Sequence, residues 1–336
     1  MQSRTLRIKK GGGFDSLSIT KCDIPAINDH QILVQIKASS LNYHDYAVVS
    51  GMWGPAEDRI PMSDGAGEIL AIGSNVKNFK VGDHVVSTFF PDWNKGEPIY
   101  SDFKTVPGDG VDGYARDHVV VDENFFTKAP KLWTHLESST LTTAALTAWR
   151  ALFEDIQITK NDTILIQGTG GVSIYALQFA KMIGAKVVAT SSNDDKIKRL
   201  YELGADYCIN YKKTPEWGNA VLDWTNGQGV DCVVDVGGPN TINHSLMACK
   251  VNGHISFIGI LSGLDGKLDM INLLLKQIKI QGVLVGSRQH QLNMINAINQ
   301  YQFKPVIDKV FPFESLIDAF KYQESNRHFG KICIQY

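Results

Sequence analysis

The chain is predicted to be an α/β protein in which a doubly wound parallel sheet is joined to a second, β-rich domain. Three observations carry this expectation. From Thr163 onward, strand-like and helix-like segments alternate. A glycine-rich turn, Gly168-Thr169-Gly170-Gly171-Val172-Ser173, falls between the first strand and the first helix of that alternation. Up to Val121, by contrast, the chain reads mostly as short β-branched or alternating runs punctuated by Gly, Pro, Asn and Asp.

In order, the β-rich part offers strands at Ile32–Ala38, Gly67–Ile72, His84–Thr88 and His118–Val121, with a turn at Val81-Gly82-Asp83 feeding the third. The loop Phe89–Asp112 is long enough to be either a functional cover or plain surface. Helical periodicity begins near Glu137. Six strand candidates then follow: Thr163–Gln167, Lys186–Thr190, Tyr207–Asn210, Cys232–Val236, Ile255–Ile258 and Ile280–Val285. Helices between most of them imply an open parallel sheet covered on both faces. The tail holds helices at Gln289–Tyr301 and Phe313–Asn326, then a strand, Gly330–Ile334, expected to return and pair with the front of the chain.

The turn has a chemical reading. Glycines let the backbone turn sharply and approach a pyrophosphate, and the N–H groups of the following helix face the negative charge. Ser173 stands where the third glycine of the usual pattern falls, and a small side chain still permits close packing there. An acidic residue at the end of the second strand would bind the ribose hydroxyls of NAD. Here that strand end reads Ala189-Thr190-Ser191-Ser192-Asn193, and Asp194 and Asp195 are placed to begin the next helix. Hydroxyls with Lys196, Lys198 and Arg199 nearby accept a 2′-phosphate, so NADP(H) is expected as cofactor. Taken singly, Lys196 and Arg199 also fit a solvated helix face.

Composition excludes several classes. With 43% hydrophobic residues, 20% charged and a net charge of −2, nothing points to nucleic acid or an anionic membrane. No apolar run reaches transmembrane length, and the N-terminus lacks the apolar stretch of a secretory signal. Five scattered cysteines, with no C-x-x-C pair, read as free thiols of a cytoplasmic protein. The expected partner is a small-molecule substrate.

The segments SSLNYHDYAVVSG, DGAGEILAIGSNVKNFKVGDHVV, LTTAALTAWRAL, LIQGTGGVSIYALQFAKMIGAKVVATSSNDDKIKRLYELGADYCINY, GVDCVVDVGGP and GKICI occur in this order along nearly the whole chain. With them the chain resembles the medium-chain dehydrogenase/reductase superfamily, and within it the zinc-independent quinone oxidoreductase-like and zinc-type alcohol dehydrogenase-like branch. The resemblance implies a GroES-like catalytic domain over 1–144, a Rossmann dinucleotide-binding domain over 145–286 and a returning segment, 287–336, that completes the first. It also implies a homodimer through the sixth Rossmann strand, Ile280–Val285; pairing would cover an exposed edge.

The resemblance also frames the metal question. Zinc enzymes of the superfamily place a cysteine where this chain has Asn42, a histidine where it has Ser63 and a third ligand near Thr143. Catalytic zinc needs about three protein ligands, and Asp64 alone, where the motif's glutamate would stand, will not hold it. The Phe89–Asp112 loop lacks the four cysteines of a structural zinc lobe. His44 and His84 read as ordinary polar residues, although with Asp64 they offer an unrelated site. No metal is expected.

By the same resemblance, Asn42 lies near the nicotinamide and the acceptor oxygen, although an asparagine there also suits a helix-starting turn. Tyr46 is a catalytic candidate or a core residue, since related reductases carry their tyrosine one position later, at Ala47. Trp53 lines the substrate pocket. Asp64 orients a donor or a water, or pairs with a lysine structurally. Thr143 and Thr147 approach the nicotinamide ribose. Gly168, Gly170, Gly171 and Val172 hold the pyrophosphate, and Ser191, Lys196 and Tyr211 the 2′-phosphate and adenosine. Val236 and Gly237 lie by the adenosine, and Ile258, Gly259 and Ile260 by the nicotinamide. Arg288 reaches the phosphates or is a surface residue at a helix start. The implied activity is metal-free hydride transfer from NADPH to a quinone or an α,β-unsaturated carbonyl. The alternatives are an alcohol dehydrogenase or carbonyl reductase, and a catalytically idle NADPH-binding sensor.

Overall fold

The computed structural model describes residues 2–9, 12–53, 58–98 and 102–336. The chain forms two compact units, Met1–Leu146 with Val285–Tyr336, and Thr147–Leu284. Divisions were expected at 144/145 and 286/287; the observed ones fall at 146/147 and 284/285. Gly286 packs closely on Leu146, with space for a Cβ only 3.1 Å from that side chain, which ties Val285–Gly286 to the first unit.

In the first unit, β1 (Gln2–Ile8) and β2 (Leu17–Asp23) form an antiparallel pair. The strands β3 (Gln31–Ser40), β4 (Ala66–Ile72), β5 (His84–Ser87), β6 (His118–Asp122) and β7 (Phe126–Lys128) belong to a larger sheet. Alternation drives it: Ile32, Val34 and Ile36 of β3 point to one face and pack with Ile69, Val85, Val119 and Phe126.

The second unit carries β8 (Thr163–Gln167), β9 (Lys186–Ser191), β10 (Tyr207–Asn210), β11 (Val230–Asp235), β12 (Cys249–Phe257) and β13 (Lys279–Gly282). They pair in parallel, in the order β10-β9-β8-β11-β12-β13. This is the doubly wound Rossmann arrangement, whose strand order reverses between β8 and β11. Continuous apolar runs such as Ile164-Leu165-Ile166 are wholly buried because helices cover both faces. The sixth strand ends earlier than expected: Val285 takes φ 47°, outside the extended region.

The chain then returns to the first unit. β14 (Ile307–Pro312) pairs in parallel with β15 (Lys331–Gln335), and β15 runs antiparallel to β3. The terminal strand therefore pairs with the front of the chain, as its sequence position suggested. The register sets Cys333 opposite Ser40. Leu41 then donates to the Ile332 carbonyl at 3.0 Å, so Lys331 arrives beside Leu41 and Asn42.

β3 and β4 approach so closely at Gly67 that a Cβ there would lie 1.9 Å from the Gln35 carbonyl oxygen. Neither partner is a flexible side chain, so Gly67→Ala must part the strands. We expect it to destabilise the first unit by roughly 2–4 kcal/mol, read as a lower denaturation midpoint in urea.

Candidate active site and dinucleotide turn

The helix Tyr43–Ser50 begins at Asn42, and its third residue, Asp45, folds back on that start. Asp45 accepts from the Asn42 backbone N–H at 2.9 Å and from its side-chain amide at 3.1 Å. Its other oxygen accepts from the Ser63 N–H at 2.7 Å. Opposite stands Lys331, 2% exposed, whose ammonium donates to the Leu41 carbonyl at 2.7 Å and to Asn42 Oδ1. The asparagine side chain is thus held at both ends, by an ammonium and by a carboxylate.

Asp64 lies 3.5 Å from the Lys331 ammonium and is wholly buried. The hydroxyls of Ser40 and Thr143 contact its two oxygens at 2.6 and 2.7 Å. Ser63 Oγ stands 3.4 Å from the Thr143 hydroxyl. Burial, with Asp45 close by, holds the Asp64 carboxyl above the usual carboxylate range despite Lys331. Burial also opposes ionisation of Asp45, yet His44, the Ser63 N–H and Lys331 hold its pKa below the usual value. Two neighbouring carboxyls are thereby driven apart.

The structure brings Asn42, Asp64 and Thr143 together and sets Tyr46 apart. The Tyr46 hydroxyl donates to Glu324 at 2.9 Å and its ring packs against Phe14. Burial and Glu324 hold the phenol above its ordinary pKa. Trp53 is half exposed beside the rings of His44 and Phe103, with centroids 5.6 and 6.3 Å away. Arg288 donates through its backbone to Trp93 and through its guanidinium to the Phe126 carbonyl, at 2.9 and 3.4 Å. The Phe89–Asp112 loop is in part a packed structure, with Phe89, Phe90, Trp93 and Val106 buried.

Sequence reasoning passed over Lys331, Asp45 and the pair formed by His44 and Asp109. His44 Nε2 lies 3.1 Å from Asp109 Oδ2. Its ring stacks on Phe103 and meets Phe89 edge-on. The signals were there: Asn42-x-x-Asp45 has the spacing of a helix-start box, and Lys331 is a lone charge entering an apolar terminal strand.

In the second unit, Gly168 takes φ 72° and Gly170 precedes the Gly171–Met182 helix, whose start no side chain caps. A Cβ at either glycine would meet nothing within 4 Å, so the turn is open to a ligand. Ser173, in the third-glycine position, donates its hydroxyl to the Gln167 carbonyl at 2.6 Å and ties the helix back to β8. Ser191 is buried at the end of β9, and its carbonyl accepts from the Tyr211 N–H at 3.0 Å. Lys196 lies in the first turn of the next helix, capped by Asn193. Asp194 is engaged by Lys213 and Asn210, at 2.6 and 2.7 Å. Thr147 is buried in this unit.

The strand ends beside the turn are fixed by Asp235. Its carboxylate accepts from the N–H groups of Gly237 and Gly238, from the hydroxyls of Thr241 and Ser245, and from the Gln167 amide. Val236 and Gly259 approach backbone to backbone: a Cβ at Gly259 would lie 2.1 Å from the Val236 oxygen. Ile260 follows in the same loop, where its carbonyl accepts from the Gly263 N–H.

These residues fit a dinucleotide: an uncapped helix start behind an open glycine turn, and no carboxylate at the end of β9. They do not fit zinc. Asn42, Ser63 and Thr143 offer an amide and hydroxyls, both Asp64 oxygens are occupied, and the Lys331 ammonium already supplies the positive charge. Among the described residues, no three His, Cys, Asp or Glu side chains are grouped to hold a metal ion.

A parallel sheet with this turn, joined to a β-rich unit holding the polar cluster, defines a dinucleotide-dependent oxidoreductase. Residues 28–131 match the alcohol dehydrogenase GroES-like domain family, and residues 171–300 the zinc-binding dehydrogenase family. The chain is 38% identical over 336 residues to a zinc-type alcohol dehydrogenase-like protein of Schizosaccharomyces pombe, covering 96% of each. It is 29% identical over 339 residues to a chloroplast envelope quinone oxidoreductase homolog of Arabidopsis thaliana, covering 97% of this chain and 95% of the other. A crystal structure from Sinorhizobium meliloti, assigned to the alcohol dehydrogenases, matches with a TM-score of 0.94 at 34% identity, over 100% of this chain and 99% of that one. The chain belongs to the medium-chain dehydrogenase/reductase family and is an NAD(P)-dependent oxidoreductase.

Burial works against the His44 imidazolium, but Asp109 and Asp45 outweigh it and raise its pKa from 6.5 to about 9. A rise of that size stabilises the fold by roughly 3 kcal/mol. Because the folded pKa is the higher, the contribution is complete below pH 6.5 and is lost as pH climbs through about 9. We expect the His44 ring to titrate near 9 by NMR, and Asp109→Asn to move that titration downward.

Proposed function

We propose that the protein is an NADPH-dependent, zinc-independent reductase of quinones or α,β-unsaturated carbonyls. The observation that carries this reading is the donor set around Asp64: the Asn42 amide and the Ser63 and Thr143 hydroxyls, where the resemblance places metal ligands, with the Lys331 ammonium beside them. Such a set offers hydrogen bonds to a developing enolate or quinol oxygen and no Lewis acid for an alkoxide. When bound, the reduced nicotinamide supplies the hydride.

Gly168, Gly170, Gly171 and Val172 receive the pyrophosphate at the uncapped helix start. Ser191, Lys196 and Tyr211 receive the 2′-phosphate and adenosine, Val236 and Gly237 border the adenosine, and Gly259 and Ile260 border the nicotinamide. Asn42 polarises the acceptor. Its amide donates to Asp45, faces the Asp64 carboxyl, and meets the Ser40 carbonyl at 3.4 Å, a long contact that a substrate oxygen can replace. Trp53 supplies a flat ring for stacking on the acceptor.

The reading places a homodimer on the second unit. Beside the edge strand β13, the helix Met270–Leu275 exposes Met270, Ile271, Leu274 and Leu275, and Leu264 is 78% exposed nearby. A second copy covering this face would also close the sheet edge. Cytoplasmic residence accords with five free thiols. Among the described residues, no helix is long and apolar enough to cross a membrane.

Purified protein is expected to oxidise NADPH when given 9,10-phenanthrenequinone or a simple enone. Tight NADPH binding without turnover across a broad acceptor panel would instead point to a sensor. Ser191→Asp should shift the kcat/KM preference toward NADH by about tenfold or more, since a carboxylate repels the 2′-phosphate; an unchanged preference refutes the NADPH assignment. Sedimentation should give a dimer that Leu274→Asp dissociates, and a wild-type monomer would remove the interface.

A further inference from the structure

We propose that Asp64 carries a proton in the resting protein and delivers it, through the Thr143 hydroxyl, to the oxygen of the reduced acceptor. The inference rests on the reductase reading and adds the proton source to it.

Charge counting is the first argument. The cluster holds two buried cationic groups, Lys331 and His44, two wholly buried carboxyls, Asp45 and Asp64, and one partly exposed carboxyl, Asp109. Asp109 has its partner in His44 at 3.1 Å, and Asp45 lies 3.9 Å from the same ring while also taking three N–H donors. Asp64 has side-chain donors, from Ser40, Thr143 and the Asn42 amide, receives no backbone N–H bond among the described residues, and has its nearest cation at 3.5 Å. With Asp64 neutral the cluster has no net charge; with Asp64 ionised it carries one uncompensated negative charge in a water-poor interior, which is costly. Neighbouring acids whose surroundings push them apart identify which one holds the proton.

Hydrogen counting is the second. The Ser40 hydroxyl lies 2.6 Å from Asp64 Oδ2 and 3.0 Å from the Ser139 carbonyl. It has one proton for two acceptors if Asp64 is ionised, and both contacts are satisfied if Asp64 carries its proton on Oδ2. The carboxyl can hold that proton on either oxygen. Shifted to Oδ1, at the expense of the Ser40–Ser139 contact, it points to Thr143 Oγ1 at 2.7 Å, so that Thr143 accepts from Asp64 and can donate in turn. Thr143 is half-buried while Asp64, Ser40 and Ser63 are wholly buried, so Thr143 is the outlet.

Hydride adds to the acceptor carbon, which is reduced as the nicotinamide is oxidised, and the electron pair of the acceptor π system moves to its oxygen. That oxygen takes the Thr143 hydroxyl proton as Thr143 Oγ1 takes the proton of Asp64. Asp64 is left ionised, with the Thr143 and Ser40 hydroxyls both donating to it and Lys331 beside it. Water returns one proton through Thr143 before the next turnover. The charged and titratable groups facing Asp64 are Lys331 and Cys333 from β15, Asp45 from the first helix and Tyr114 from the segment before β6.

The test uses the intact protein. Infrared spectroscopy should show the carbonyl stretch of a protonated buried carboxylic acid, shifted in heavy water and absent from Asp64→Asn. The Asn variant keeps the neutral shape, so NADPH affinity should be unchanged while kcat falls by about 100-fold or more. Thr143→Ala should lose a similar factor, and Thr143→Ser should restore it. Wild-type kcat should decline as pH rises through the Asp64 titration, and Asp64→Asn should lack that limb. Absence of the acid band, or an Asn variant with wild-type kcat and pH profile, overturns the relay alone. A wild-type protein that binds NADPH and reduces no quinone or enone overturns the reductase reading, and the relay with it.

Discussion

The structure of the first unit turns on burying one ammonium. Lys331 is 2% exposed, and a buried charge costs several kcal/mol unless it is paired and fully hydrogen-bonded. That requirement explains why distant parts of the chain meet where they do. The terminal strand must return beside β3 to carry Lys331 in, β3 must end at Leu41 to present a carbonyl, and the helix must begin at Asn42 to present an amide oxygen. Asp45, in the first turn of that helix, then supplies the negative charge, and the Asp64 carboxyl packs 3.5 Å from the ammonium from a further segment. Removing any one of these leaves a charged or polar group stranded in the interior.

The second unit solves a comparable problem with a carboxylate. Asp235 stands wholly buried at the end of β11 and takes five donors from the following turn, the helix after it and β8. This converts a loop at the reversal of strand order into a fixed surface. Val236 and Gly259 can then meet backbone to backbone, a contact available only because Gly259 has no side chain. The glycine turn itself is left uncapped. Rigidity is concentrated beneath the turn, and unsatisfied N–H groups at its mouth, which is the division a phosphate-binding site needs.

Much of the fold was legible in the sequence because it rests on local pattern. The six Rossmann strands follow from apolar runs and the glycine turn, and the return of Lys331–Gln335 from its separation from its partner. Strand ends were less legible: nothing local announces that Val285 adopts a positive φ. The polar cluster was legible only in part. Asn42, Asp64 and Thr143 were singled out one at a time, yet their meaning depends on Lys331, 289 positions from Asn42 in the chain. Tyr46 shows the reverse limit. Its type suited chemistry, but the side of the helix it occupies was decided by packing on Phe14 and by Glu324. His44 read as an ordinary polar residue because its partner, Asp109, lies 65 positions away in a loop without periodic signal.

On the proposed reading, an ammonium beside Asp64 narrows the chemistry in a definite direction. Zinc offers an open coordination position and pulls electron density directly from a bound oxygen. Two of the three Lys331 hydrogens are committed to Leu41 and Asn42, and Asp64 lies 3.5 Å from the ammonium, so the charge acts through those neighbours. Its effect is to make the Asn42 amide a fixed donor and to tolerate a transient carboxylate at Asp64, which are aids to an oxygen that becomes anionic briefly. An isolated alkoxide gains too little from such a site. A quinol or enolate, whose charge is delocalised within the substrate, asks no more than this, so in the proposed reaction the electrophilic strength resides in the acceptor.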